Sequence, residues 1–232
     1  MTTPSDPDEQ QRHSWSDNAA AWTEAVRSQK IESRRVATDA AILGAIRARA
    51  PRRVLDCGCG EGWLCRALNE QHIDTVGIDV SSELIDAACR KGGGDYRVCS
   101  YADLSTDPER LGAPFNLVVC NFSLLEENLD TVLHSIASLV GPGGTLLIQT
   151  VHPCASPEQP YLSGWRTEGF RDFGEVFPKP MPWYFRTLAD WLDLLRRSRL
   201  DLQELHEPLH PETGRPLSLI LAAAVRPPEL KD

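Results

Sequence analysis

No stretch of this 232-residue chain approaches the ~18 consecutive apolar residues of a membrane-crossing helix. Its polar, acidic beginning does not read as a secretory leader, so a cytoplasmic protein without a membrane partner is expected. The seven cysteines are odd in number and include no C-x-x-C pair. Neither a disulfide framework nor a zinc site is therefore expected, and no metal is assigned. His206 and His210 are separated by Pro208, which breaks the helical spacing a metal pair needs. Positive charge is also short: 24 Lys and Arg against 33 Asp and Glu leave a net charge of −9. That balance argues against a nucleic-acid partner, which needs clustered cations. The one basic cluster, Arg196, Arg197 and Arg199, falls at the end of an expected helix and complements its dipole. No internal repeat is visible.

What is present is the composition of a globular domain, 41% hydrophobic and 25% charged. Residues 1–13 are rich in Pro, Asp and Gln and read as a disordered tail. Helix-like recurrence of Ala19, Trp22, Val26, Ile31, Val36, Ala40, Leu43 and Ile46 makes 14–50 an N-terminal helical cap, which Pro51 stops. Alternation then begins. Strands are expected at 53–56, 74–78, 96–99, 115–120 and 145–150, with helices at 63–71, 82–91 and 128–139 between them. Helix 187–197 and strands 201–206 and 217–225 complete residues 51–232. This β/α alternation predicts an α/β, doubly wound, mostly parallel sheet with helices on both faces and ligands at the strands' C-terminal ends.

The most informative run is Val54-Leu55-Asp56-Cys57-Gly58-Cys59-Gly60-Glu61-Gly62. It reads as a buried strand ending in a glycine-rich turn that opens into a helix. Glycines at alternate positions let the backbone turn sharply and approach a ligand. Asp79 follows about 20 residues on, after a second apolar strand, where a carboxylate accepts ribose hydroxyls. A dinucleotide fingerprint would need glycine at position 63, which is tryptophan. Asp56 beside the turn would repel pyrophosphate and suits a ligand bearing an ammonium and a sulfonium. An ordinary strand-to-helix turn is the plainer alternative for the glycines alone.

On these residues the chain resembles the class I S-adenosylmethionine-dependent methyltransferases, whose first motif is an acidic residue followed by G-x-G-x-G. The resemblance implies seven strands in the order 3-2-1-4-5-7-6, the last antiparallel. It implies S-adenosylmethionine as cofactor, S-adenosylhomocysteine as product, and a small molecule as methyl acceptor. Gly58, Cys59 and Gly60 would then face the methionine portion, with Asp56 near its amino group. Asp79 would take the ribose diol and Val80 the adenine face. Ala102 and Asp103 would meet the adenine amino group, although Asp103 alone equally suits a helix cap. Asn121 and Phe122, ending the fourth strand, would contact the methionine end and the substrate. Arg34 or Arg35 would pair with the cofactor carboxylate, the other lying on a solvated face. The N-P-P-Y form of enzymes acting on exocyclic amines is absent, which favours a small molecule over RNA or protein. A cofactor-binding protein without methyl transfer is the reading from another class.

Residues 153–186 break the alternation, with six prolines and a concentration of aromatics. A connection of that length reads as a lid over the substrate. Trp165, Trp183 and Tyr184 within it, with Trp22 from the helical cap, are expected to line the acceptor's chamber. His152 ends the fifth strand near the expected methyl position. It reads as a catalytic base or, equally, as a structural histidine bonded to the loop.

Overall fold

The computed structural model describes residues 6–106, 108–155, 158–173 and 177–227. Helix α1 (Pro7–Arg27) leads through a π-helical turn (Arg34–Thr38) into α2 (Asp39–Arg47). The α/β body follows as β1 (Arg53–Cys57), α3 (Trp63–Asn69), β2 (Asp74–Asp79), α4 (Ser82–Lys91), β3 (Asp95–Val98), α5 (Tyr101–Thr106), β4 (Phe115–Asn121), α6 (Asp130–Leu139) and β5 (Val140–Val151). Strands β6 (Gly164–Glu168) and β7 (Met181–Phe185) form a separate antiparallel hairpin. Helix α7 (Leu188–Arg197), β8 (Leu200–His206) and β9 (Ser218–Val225) return to the main sheet.

That sheet has the order β3-β2-β1-β4-β5-β9-β8, with only β9 antiparallel to its neighbours. Setting aside the hairpin strands, which enter the chain count between β5 and β8, this is the implied order 3-2-1-4-5-7-6. The central strands are buried because both faces are covered, as apolar parallel strands require. Leu133, Ile136, Trp191 and Leu194 from α6 and α7 pack on one face, and Ile42, Ile46, Leu64 and Leu68 from α2 and α3 on the other. Strand β1 pairs with β2 on one side and β4 on the other, so the strand order reverses at β1 and opens a crevice at its C-terminal end. No helix among the described residues is long and apolar enough to cross a membrane.

Three expectations change. The tail expected through residue 13 is helical from Pro7, and of that tail only residues 1–5 lie outside the described chain. Asp6 supplies the N-cap, accepting from the Asp8 amide at 3.1 Å, and Pro7 sits at the first helical position. Gln11 and Ser14 are buried, so packing secures what composition alone did not reveal. The single cap helix is instead broken after Arg27. The segment at 153–186 is no structureless loop, since Trp165 pairs with Tyr184 and Arg166 with Trp183 across the hairpin.

Candidate functional site

The crevice is a cavity of about 780 Å³ at the C-terminal ends of β1, β2 and β4, roofed by α1 and the hairpin. Its floor is the glycine turn. The Gly58 and Cys59 amides both donate to the Ile78 carbonyl, at 2.7 and 2.9 Å, locking the turn to the end of β2. Gly58 has φ +77° and faces Ser123 so closely that an added Cβ would collide with that side chain. Ser123 in turn donates to the Cys57 carbonyl at 2.5 Å. The Gly60 amide donates to one oxygen of Asp79 at 2.9 Å, and the Ser81 amide to the other at 2.9 Å. Asp79 is thereby held rigidly, with acceptor capacity left for a diol. Burial pushes its carboxyl above the ordinary range, against the pull of these amides.

Asp56 is 2% exposed and lines the cavity. Among the described residues its side-chain partner is the Cys65 thiol, 3.7 Å from one oxygen, and the other oxygen is buried without a hydrogen bond. Burial pushes its carboxyl up to about 7. The buried Oδ1 of Asn121, also on the wall, lacks a partner too. Two orphaned acceptors beside the turn suit an ammonium donor. Arg34 reaches the same cavity, its Nε donating to Asp39 at 3.0 Å. The π-turn carrying it is fastened to the sheet by Gln149, which donates to the Thr38 carbonyl at 3.2 Å. Such a turn at a ligand site is a recurrent device. Acceptors for an ammonium, a cation for a carboxylate and Asp79 for a ribose fit the aminoacyl and ribose ends of S-adenosylmethionine.

Of the other sequence candidates, Cys59, Gly60, Val80, Ala102, Trp22, Phe122 and Trp183 are on the wall. Phe122 adopts φ +55°, an uncommon conformation for a bulky residue, held by its amide donating to Gln149 at 2.7 Å. Arg35 is exposed and faces Glu32 at 3.9 Å, outside the cavity. Asp103 is also outside. It accepts from the Ser100 amide and hydroxyl, both at 2.8 Å, while its own amide donates back to Ser100 at 3.2 Å. This is a reciprocal capping box at the start of α5. Trp165 and Tyr184 also miss the wall, because strand alternation turns them to the hairpin's other face; Trp165 donates to Glu127 at 3.3 Å.

His152 departs from its expected catalytic role for the same geometric reason. Val151 faces the cavity, whereas His152, next along the strand, is 6% exposed. One ring nitrogen lies 2.8 Å from Glu207 and the other accepts from the Cys154 amide at 3.1 Å. Both are committed to fastening the loop. Sequence reasoning missed Gln11, Leu125, Glu126 and Met181, which complete the outer chamber with Trp15 and Phe170. Met181 and Trp183 share the inward face by period-two alternation, a signal that would have been usable had a hairpin been assigned. Burial pushes the Glu126 carboxyl up to about 7. Among the described residues no cluster of three or more His, Cys, Asp or Glu side chains is placed to hold a metal.

Comparison with known proteins gives a consistent result. The family described as "Methyltransferase domain" matches residues 29–200. A ubiquinone biosynthesis O-methyltransferase of Xanthomonas campestris pv. campestris is 31% identical over 194 residues, covering 75% of this chain and 76% of its own length. A protein of the same name from Xylella fastidiosa is 36% identical over 107 residues, 43% of this chain; the match spans 42% of that relative's length, less than half. Among solved structures, the Burkholderia thailandensis 1,6-didemethyltoxoflavin-N1-methyltransferase has a TM-score of 0.66 at 20% identity, over 98% of this chain and 93% of its own. A putative S-adenosylmethionine-dependent methyltransferase from Listeria monocytogenes has a TM-score of 0.63 at 19% identity, over 82% and 100%. At these identities the structural likeness speaks to the fold.

Proposed function

The chain belongs to the class I S-adenosylmethionine-dependent methyltransferases, and from that premise we propose that it transfers the methyl group of S-adenosylmethionine to a small-molecule acceptor. The observation that carries this reading is the continuity of one cavity. Its inner end holds Asp56, Asp79 and Arg34, and its outer end is walled by Trp15, Trp22, Phe170, Phe173, Met181 and Trp183. About 780 Å³ lies within the range of cavities that enclose drug-sized ligands. The relatives' names point the same way, to methylation of small acceptors by the ubiquinone and toxoflavin enzymes. Seven free cysteines suit a reducing cytoplasm.

When bound, S-adenosylmethionine supplies an electrophilic methyl on a sulfonium. The protein's task is to align it with the acceptor atom. Asp56, Asn121 and Arg34 hold the aminoacyl end and Asp79 holds the ribose. The aromatic chamber sets the acceptor's approach and excludes water. Positioning the reacting atoms about 3–3.5 Å apart lowers the barrier by several kcal/mol. The test is calorimetry with S-adenosylmethionine and S-adenosylhomocysteine, followed by a metabolite-extract screen for methyl incorporation. One binding site and a methylated product of low mass are expected. Absence of binding, or labelling only of RNA or protein, would overturn the proposal.

A further inference from the structure

The loop after β4 is pinned to the cofactor turn from beneath and to the roof from above. Below, Ser123 donates to the Cys57 carbonyl at 2.5 Å and Tyr101 to the Ser123 carbonyl at 3.1 Å. Above, the Leu125 carbonyl accepts from the Gln11 side chain at 3.2 Å and from the Tyr184 amide at 2.7 Å. Arg186, itself 6% exposed, donates to the carbonyls of both Glu126 and Glu127. Five anchors thus hold a short loop that carries one ionisable side chain into the cavity, Glu126. Of its carboxylate oxygens, Oε2 accepts from the Leu125 amide at 3.2 Å. The backbone of the loop is fixed by its neighbours, and the Glu126 side chain lines the cavity.

We infer that Glu126 is the general base of the reaction and that the acceptor is a phenol, its ring in the aromatic chamber and its hydroxyl toward Glu126. This deepens, and rests on, the methyl-transfer reading above. The proton passes from the phenol oxygen to the Glu126 carboxylate. The oxygen's electron pair forms the new carbon–oxygen bond, while the methyl–sulfur bond breaks with its pair going to sulfur. The products are an aryl methyl ether, the neutral thioether S-adenosylhomocysteine and protonated Glu126, which returns its proton to water when the site opens.

Acidity and charge select this class. Burial raises the Glu126 carboxyl to about 7, helped by the nearby Asp8 and opposed by Arg186. The charged Arg12 and Glu168 line the same chamber, and the buried Tyr101 hydroxyl lies close enough to feel Glu126. A phenol, with an ordinary value near 10, lies within reach of this base, whereas an aliphatic alcohol, like water, is far too weak an acid for it. An alkylammonium would have to enter beside the cofactor's own positive sulfonium and be repelled there. A neutral phenol meets no such repulsion, and its flat ring suits the tryptophan, phenylalanine and methionine walls.

The experiment uses the full chain with S-adenosylmethionine and a probe panel of phenol, 4-methylphenol, benzyl alcohol, aniline and benzylamine, with products read by mass spectrometry. The expected result is oxygen methylation of the phenols, with kcat falling about tenfold per pH unit below about 7. E126Q should lower kcat ~100-fold or more while S-adenosylhomocysteine affinity stays within about threefold. E126D should restore part of the rate if length and charge are the requirement. A second readout needs no turnover. Fluorescence of the chamber tryptophans should show 4-methylphenol binding, with S-adenosylhomocysteine present, tightening as pH rises from 6 to 8 in the wild type and not in E126Q. An unchanged pH profile in a folded E126Q overturns the assignment of the base. Transfer confined to amines, or to no phenol by a protein that binds the cofactor, overturns the acceptor class. Failure to bind S-adenosylhomocysteine at all would instead reject the underlying methyl-transfer reading.

Discussion

The guanidinium of Arg34 lies 4.5 Å from the ring centroid of Trp63, stacked as a cation on an aromatic face. Trp63 is the residue that stands where a dinucleotide site needs glycine. The side chain that breaks one ligand's fingerprint is therefore the platform for the arginine that we propose clamps the cofactor carboxylate. Trp63 presents the platform at the start of α3, and the π-turn brings the arginine onto it. Asp39 fixes the Nε end, at 3.0 Å, and the side chain lines the cavity.

Arg34→Met should therefore weaken S-adenosylhomocysteine binding by about 10- to 100-fold, the worth of a charge-assisted hydrogen bond or two. Arg35→Met should leave it unchanged, because Arg35 points to solvent beside Glu32. Trp63→Leu should fall between them, removing the platform and not the charge. Titration calorimetry of the three variants checks this. Equal losses from Arg34→Met and Arg35→Met would deny the clamp.

In the proposed cofactor site, Asp56 should link binding to pH. Its carboxyl rises from 3.8 to about 7 on folding, so the folded chain holds a proton that the unfolded chain releases. The contribution to stability is fully present below about 4 and is lost as pH rises through about 7, amounting to a few kcal/mol. Glu126 adds in the same direction. Asp56→Asn, neutral throughout, should flatten the decline of apo-protein melting temperature between pH 5 and 8. It should also weaken cofactor binding. In the wild type the arriving ammonium favours the ionised carboxylate, so binding near pH 7 should release about half a proton. Calorimetry in two buffers of different ionisation enthalpy measures this, and no proton release in the wild type would refute it.

Asp103 and His152 show how far the sequence could be read. The fold, the glycine turn and Asp79 were legible because they follow from local spacing: apolar runs, turns and a carboxylate at a strand end. Asp103 shares that position but not the orientation. Its partner Ser100, three residues earlier, makes a capping box that was equally visible in the sequence and competes for the same carboxylate. For His152 the missing information was Glu207, 55 residues away, which no local pattern supplies. Most of the outer chamber beyond Trp22 and Trp183 was hidden for a further reason. Its residues come from α1, the loop after β4 and the hairpin, segments that meet only in the folded chain.

These placements give opposite expectations for two alanine variants and for the cofactor. Asp103→Ala should lower stability by about 1 kcal/mol, the usual worth of a cap, with S-adenosylhomocysteine affinity nearly unchanged. His152→Ala should lower stability by loosening the Cys154 and Glu207 contacts, while the pH dependence of turnover stays as in the wild type. Denaturant melts and binding titrations separate the outcomes. A tenfold loss of affinity in a stable Asp103→Ala protein would return that residue to the adenine site.

The roof is the least local part of the site and the part most suited to movement. One end of α1 is fixed to the cofactor turn, where Arg27 pairs with the 1%-exposed Glu61 at 2.6 Å and donates to the Ala87 carbonyl at 3.0 Å. Along the rest of the helix, Asn18 exchanges hydrogen bonds with the backbone of Lys179, donating at 2.7 Å and accepting at 3.1 Å. Gln11 also donates to the Pro182 carbonyl at 3.0 Å. Helix and hairpin are thus coupled by two amide side chains, each replaceable by water on opening, while the Arg27 end has the buried charge that resists separation. A lid that opens should therefore move the hairpin away from α1 and leave the helix seated on the cofactor turn. Hydrogen exchange should be fast in 177–185 and slow in β1 and β4, and ligand should slow the hairpin alone. Asn18→Ala should speed exchange in 177–185 at least severalfold and raise the acceptor's KM more than it lowers kcat. If protection across the hairpin is unchanged by both ligand and mutation, the segment is a fixed wall, and acceptor entry must use another route.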